Sequence, residues 1–241
     1  LKSKVPWYDA EMTRREYGQE CSFACALDRI GERWSMLVVR ELSLGPLRFS
    51  DLARSVGGAP TDVLTKRLRE LEADGIVVRV ELEPPASGVA YKLTDLGRGL
   101  ERPMLEMARW GLNFQQLSDV IGLPASSLPN ALRTVVRPSP DLKLALQLHS
   151  DGQAFFLRIE NGWIDARRGI VEAADLTLSG PPAAVIAALV IGDAVEDGIE
   201  IEGDRGALAL LRSLVSVPER LREEALVEFG AEPVAATARR A

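Results

Sequence analysis

Cysteine and histidine are scarce in this chain, with 2 and 1 among 241 residues, and aromatic side chains make up only 5%. Cys21 and Cys25 cannot build a disulfide framework, and with a single histidine they are too few for a structural zinc site. No cofactor or metal is therefore expected. Long hydrophobic runs are also missing, and a stretch such as Ala183–Ile191 is too short to span a bilayer. The start, Leu1 to Trp7, has no apolar core of a signal peptide. The expectation from these absences is a cytoplasmic protein that is not in a membrane. There is no phosphate-binding glycine loop and no nucleophile with a candidate base nearby, which argues against an enzyme. Asp175 and Asp204 read as a strand-end and a cap residue, and His149 falls on the polar face of its strand.

What is present suits a globular protein: 46% hydrophobic and 27% charged residues. The length suggests two domains. The net charge of −6 does not advertise a nucleic-acid partner, but its distribution is uneven. Residues 1–120 carry 17 basic and 18 acidic side chains, and residues 121–241 carry 12 and 17. The acid excess sits in the second half, which leaves the first free to present a local basic face.

The first half reads mostly as helix. Cys21–Ile30 places Phe23, Leu27 and Ile30 on one face, and Gly31 interrupts it. Trp34–Leu44 is a second helix with Leu37, Val38 and Leu42 as core candidates, stopped by Gly45-Pro46. Ser50 is positioned to cap a short third helix, Asp51–Val56. Gly57-Gly58 makes a turn, and Pro60 suits the first turn of a fourth helix reaching Ala73, closed by Asp74-Gly75. Ile76–Leu82 and Val89–Leu93 read as strands joined by a hairpin tip, Glu83–Gly88, which carries an acid and no cation. Thr94 caps a further helix, which Pro103 must kink or restart.

This order is that of a winged helix-turn-helix, with the fourth helix as its reading helix. Along that helix Leu64, Leu68 and Leu71 share one face. Thr61, Asp62, Thr65, Lys66 and Arg69 fall opposite. These residues offer the donors, acceptors and cations that major-groove readout needs, and Arg48 and Arg79 flank them as candidate phosphate contacts. A solvated, mixed-charge face is the alternative reading.

Cys21, Leu27-Asp28-Arg29-Ile30-Gly31, Arg33-Trp34 and Gly45-Pro46-Leu47-Arg48-Phe49-Ser50-Asp51-Leu52 follow one another in a distinctive order. Leu64–Gly75, Tyr91–Gly97 and Trp110-Gly111 continue it. This string resembles the HxlR-type branch of MarR-like regulators over about residues 20–112. The chain departs from that pattern at Ser22, Glu32 and Ala59-Pro60. The resemblance implies binding of double-stranded operator DNA as a homodimer, joined through the first and last helices of the domain. The stripe Leu96, Leu100, Met104, Met107 and Phe114 is consistent with such a joint, packing within its own domain being the alternative. The resemblance also makes Cys21, with Arg14 and Arg15 near it in sequence, a redox candidate. A small buried hydrophobe is the competing reading for that cysteine.

Gly122–Pro129, rich in proline and serine, reads as a linker. Beyond it Leu142, Leu144, Leu146 and Leu148 alternate with Lys143, Ala145 and Gln147, the pattern of a half-buried strand. Ala154–Glu160 and Trp163–Arg168 flank Asn161-Gly162, the preferred turn of a tight hairpin. That turn sets Glu160 opposite Trp163, Ile159 opposite Ile164 and Arg158 opposite Asp165. Phe155, Leu157, Ile159 and Ile164 then share the inner face. Leu176–Leu178 and Ile199–Glu202 are further strands. Pro181-Pro182 opens a helix ended by Gly192-Asp193, and Asp204 caps a helix that turns Leu208, Leu211 and Val215 inward.

The fold class expected is α+β: an N-terminal winged helix-turn-helix plus a C-terminal five-stranded antiparallel sheet with helices on one face. The domains expected are 1–120 for DNA binding and dimerisation, a linker at 121–134, a ligand-binding domain at 135–230, and a tail at 231–241. Asn161-Gly162-Trp163, Ala174–Leu178 and Ile199–Asp204 with the leucine-rich helix after them resemble the sterol-carrier-protein type-two-like fold. That resemblance implies an apolar pocket for a lipid or other apolar small molecule, and a filled core is the plain alternative. The lining expected is Leu144, Leu146, Phe155, Leu157, Ile164, Val185, Leu189, Leu208 and Leu211. The functional expectation is a transcription regulator controlled by such a ligand. The alternative is a lipid carrier whose winged helix serves as a dimer or docking module.

Overall fold

The computed structural model describes residues 16–82, 87–192 and 198–229. Leu1–Trp7, Arg14, Arg15, most of the hairpin tip, Asp193 and the expected tail lie outside the described residues. The chain divides into two compact units, Leu1–Met104 and Leu105–Ala241.

The first unit runs α1 (Ser22–Ile30), α2 (Ser35–Leu42), β1 (Leu47–Arg48), α3 (Phe49–Val56), α4 (Thr61–Ala73), β2 (Val77–Glu81), β3 (Val89–Leu93) and α5 (Asp95–Arg98). Its core is aliphatic: Val38, Val39, Leu42, Leu52, Leu64, Leu68 and Leu71 are all buried. In α2 the register buries Val39 beside Val38 and Leu42, while Leu37 is only half-buried. Phe23, on the expected apolar face of α1, is 72% exposed, and Ala24 is that helix's buried residue.

One local expectation, the Ser50 cap, is corrected by a strand that the sequence pattern does not show. A two-residue strand, β1, pairs with β3 to make a three-stranded sheet, β1-β3-β2. A pair of residues is too short to show any alternation in sequence. That pairing also delivers the chain directly into α3, so the helix begins at Phe49 with Arg48 at its N-cap. Ser50 therefore lies inside the first turn and does not cap it.

The helix expected after Thr94 does restart near Pro103, and it forms two helices. Thr94 Oγ1 accepts the Gly97 N–H at 3.1 Å, α5 ends at Arg98, and α6 (Glu101–Gly111) follows. Pro103 falls in the first turn of α6, where its missing N–H costs little. At Gly97 a Cβ would sit 2.1 Å from the Ile76 carbonyl oxygen. The close approach of α5 to the start of the wing therefore requires glycine.

The division between the units falls within α6, and the second unit goes on through α7 (Leu117–Ile121), α8 (Leu128–Val135), β4 (Leu144–Ser150), β5 (Gln153–Glu160) and β6 (Trp163–Arg168). It ends with β7 (Leu176–Ser179), α9 (Pro182–Val190), β8 (Glu200–Gly203), α10 (Arg205–Ser213) and α11 (Glu219–Glu228). The segment expected as a linker holds α8, whose Arg133 is 0% exposed. Proline and serine at Ser127 and Pro129 here start a helix instead of marking a solvated connection. The Arg133 guanidinium lies over the Trp163 ring at 5.2 Å, and its Nη1 donates to Asn130 Oδ1 at 3.3 Å. Nearby, burial and then the charge of Arg109 hold the Arg137 guanidinium below its ordinary pKa, with Glu106 acting against them.

The hairpin register is as the turn dictates. Glu160 faces Trp163, Ile159 faces Ile164 and Arg158 faces Asp165, with Asn161 and Gly162 at φ 51° and 69°. Asp165 forms its ion pair with Arg167, two residues along its own strand, at 2.6 Å.

The five strands are ordered β6-β5-β4-β7-β8, and β7 runs parallel to β4, so the sheet is mixed and not antiparallel throughout. The reason is the return segment, residues 169–175. The Gly169 N–H donates to the Ala154 carbonyl at one end of the sheet, and the Asp175 N–H to the Ala145 carbonyl at the other. This segment crosses the face that the pattern assigned to solvent. Gln147 is consequently buried there, donating to the Phe155 carbonyl at 2.8 Å and accepting the Val171 N–H at 2.9 Å. On the opposite, apolar face α8 packs against β5 and β6, and α10 against β7, with α9 between α8 and α10. Among the described residues no helix is long and apolar enough to cross a membrane.

Gly97→Ala is expected to destabilise the protein by about 1–3 kcal/mol through overpacking against the Ile76 carbonyl. Urea titration of the variant beside the parent checks this, and an unchanged midpoint would show that α5 does not need the close approach.

Candidate nucleic-acid interface

The reading helix α4 is positioned by its apolar side. Leu64, Leu68 and Leu71 are 0–1% exposed, so the helix cannot rotate without exposing them. Thr61, Asp62, Lys66 and Arg69 are exposed on the other side, with Thr65 half-buried among them. The five expected residues are thus brought onto one outward strip. Gly57 and Gly58, at φ 64° and 69°, make the turn that leads into it. Pro60 occupies the N-cap without a side-chain hydrogen bond. The Thr65 hydroxyl donates to the Thr61 carbonyl at 2.7 Å, which ties down the first turn.

The cations around the strip are held by neighbours. Lys66 Nζ lies 3.9 Å from Glu70, and Arg79 lies 3.3 Å from Glu72 and stacks on Tyr91 at 5.5 Å. Arg48 donates to the Ser87 carbonyl, at the hairpin-tip end of the wing. Beneath the strip Arg67 pairs with Glu70, and both side chains are buried. The sequence does not announce this pair, because charged residues ordinarily face water. The only hint was their i, i+3 spacing beside the buried leucines.

Cys21 is exposed at the N-cap of α1, where its Sγ accepts the Ala24 N–H at 3.3 Å, and Cys25 is exposed one turn later. On α6 and just beyond it, Met107, Trp110 and Phe114 are 59–69% exposed, the last two rings meeting edge-on at 4.8 Å. Leu96 is exposed on α5, whereas Met104 is buried.

In the second unit Leu144, Leu146, Phe155, Leu157, Ile164, Val185, Leu189, Leu208 and Leu211 are all packed inside, at 0–6% exposure. They therefore share one core, as the pattern requires. Two open cavities of about 630 and 490 Å³ take their walls from other residues, around Arg220 and Glu224 and around His149 and Ile170.

A family profile described as HxlR-like helix-turn-helix matches residues 29–119. The uncharacterized HTH-type transcriptional regulator BH0655 of Halalkalibacterium halodurans is 36% identical over 98 residues, spanning 40% of this chain and 87% of its own. Its counterpart YybR of Bacillus subtilis is 38% identical over 91 residues, 38% of this chain and 73% of its own. Among solved structures, the reduced form of the transcriptional regulator YodB from B. subtilis is 33% identical. That alignment covers 41% of this chain and 97% of YodB, with a TM-score of 0.35. The matched residues contain the whole candidate strip and the wing strands, and through them the chain belongs to the HxlR-like helix-turn-helix family.

Proposed function

We propose that this protein is a homodimeric, sequence-specific DNA-binding transcription regulator whose C-terminal domain senses an apolar small molecule. The observation that carries the DNA half is the outward strip of α4, Thr61 to Arg69, set above three fully buried leucines. Lys66 and Arg69 supply charge for phosphate or guanine, and Thr61, Asp62 and Thr65 supply shorter donors and acceptors for base edges. Arg48 and Arg79 stand on the wing side for backbone contact. The named relatives are transcriptional regulators, which supports a regulator over an enzyme.

Dimerisation is supported by the exposed Met107, Trp110 and Phe114, since an apolar helix face left in water favours a second copy. The sensing half rests on the resemblance of the sheet domain to sterol carriers and on its continuous apolar layer beneath α8, α9 and α10. A ligand taken into that layer, among the nine side chains from Leu144 to Leu211, would shift the DNA-binding equilibrium. The shift is bounded by the ligand's differential affinity for the two states. A second trigger is favoured by the exposure of Cys21: its oxidation would add a polar group at the start of α1.

Three outcomes are expected. Lys66→Ala with Arg69→Ala should abolish the shift of a duplex taken from upstream of the protein's own gene. Retention of that shift would show that the α4 strip does not hold the duplex, and no shift by the parent would leave the carrier reading standing. Native mass spectrometry of the purified protein should show a dimer carrying an apolar molecule, and a bare monomer would defeat both the dimer and the sensor. Peroxide or a quinone should weaken operator binding by the parent but not by Cys21→Ser. An equal response by the two proteins would dismiss the thiol trigger.

A further inference from the structure

The segment Glu32-Arg33-Trp34, between α1 and α2, is fastened to the reading helix and its entry turn on both sides of its central residue. On one side Glu32 Oε2 lies 3.8 Å from Nη1 of Arg67, which is buried in α4. On the other, the Trp34 ring reaches the turn that enters α4, where a Cβ on Gly58 would meet Trp34 Cη2 at 3.9 Å. Trp34 itself stands in the left-handed region at φ 80°, a costly conformation for a bulky residue, at the N-cap of α2. Packing that holds a residue there over-determines its place.

Arg33 is exposed between these two anchors. Its guanidinium lies over the Trp34 ring, 4.9 Å from the centroid. Among the described residues no carboxylate is within ion-pair reach of it, in contrast to Lys66, Arg79 and Arg54, which have Glu70, Glu72 and Asp51. Stacking on an aromatic face orders an arginine while leaving its N–H fork open, and that fork matches a phosphate. The site is thus an ordered, uncompensated cation beside the N-terminal end of the reading helix.

We infer that Arg33 is a DNA-backbone contact, a phosphate clamp that sets the register of α4 in the groove, with Trp34 as the residue that positions it. The inference rests on the DNA-binding reading above and deepens it. A backbone contact carries no sequence information, so its loss weakens all duplexes alike. Each phosphate neutralised contributes about 0.9 to the slope of log affinity against log salt concentration.

The test is the salt dependence of binding by the full chain to two duplexes, one from upstream of its own gene and one of unrelated sequence. Arg33→Ala should lower the slope by about 0.9 on both, and Arg33→Lys should restore most of it, because the charge returns. The thermal midpoint of the alanine variant should match the parent, since the side chain is exposed. An unchanged slope in a parent-like, DNA-binding variant overturns the clamp. A loss confined to the upstream duplex also overturns it, because that is the mark of a base contact. If the parent binds neither duplex in a salt-dependent way, the regulator reading itself falls, an outcome distinct from either.

Discussion

Burial of Leu64, Leu68 and Leu71 is the constraint from which the candidate interface follows. Each such side chain contributes about 1.5–3 kcal/mol when removed from water, so the azimuth of α4 is determined by its hidden side. With that side committed, a helix of 3.6 residues per turn must send Thr61, Asp62, Lys66 and Arg69 outward. The buried Arg67–Glu70 pair and the Glu32 contact add charged fastenings to the same helix. The outward strip is placed by the side chains buried behind it.

The charges on that surface are arranged economically. The whole chain is acidic, and its cations near α4 mostly rest against acids or carbonyls of their own unit. Exposed pairs of this kind are worth about 0–1 kcal/mol. They restrict the side chains yet yield readily to a phosphate, which offers a fuller charge and more acceptors. Arg33 differs in lying over an indole ring, with no carboxylate among the described residues within ion-pair reach.

Much of this was legible in the sequence. The leucine spacing of α4, the Asn161-Gly162 turn with its register, and the caps at Thr94 and Asp204 are local signals, and each acts over a few residues. The misses involve partners distant in the chain. β1 exists because Ala90 and Tyr91 are there to pair with it. Ser50 lost its capping role to that same pairing. Gln147 sits on the polar side of an alternating strand, yet a segment beginning more than twenty residues later covers it. α8 reads as a proline- and serine-containing linker until the sheet is there for it to pack against.

The linear order of residues therefore dictates most of the helices and strands, how the hairpins align and which side of α4 faces outward. These are decided by periodicity and turn chemistry within one element or between neighbours. Only the folded chain decides that β7 returns parallel to β4, that Arg133 and Gln147 are enclosed, and that Arg33 stands beside the reading helix. Such features depend on packing between segments far apart in sequence, and no local pattern encodes where the chain will meet itself.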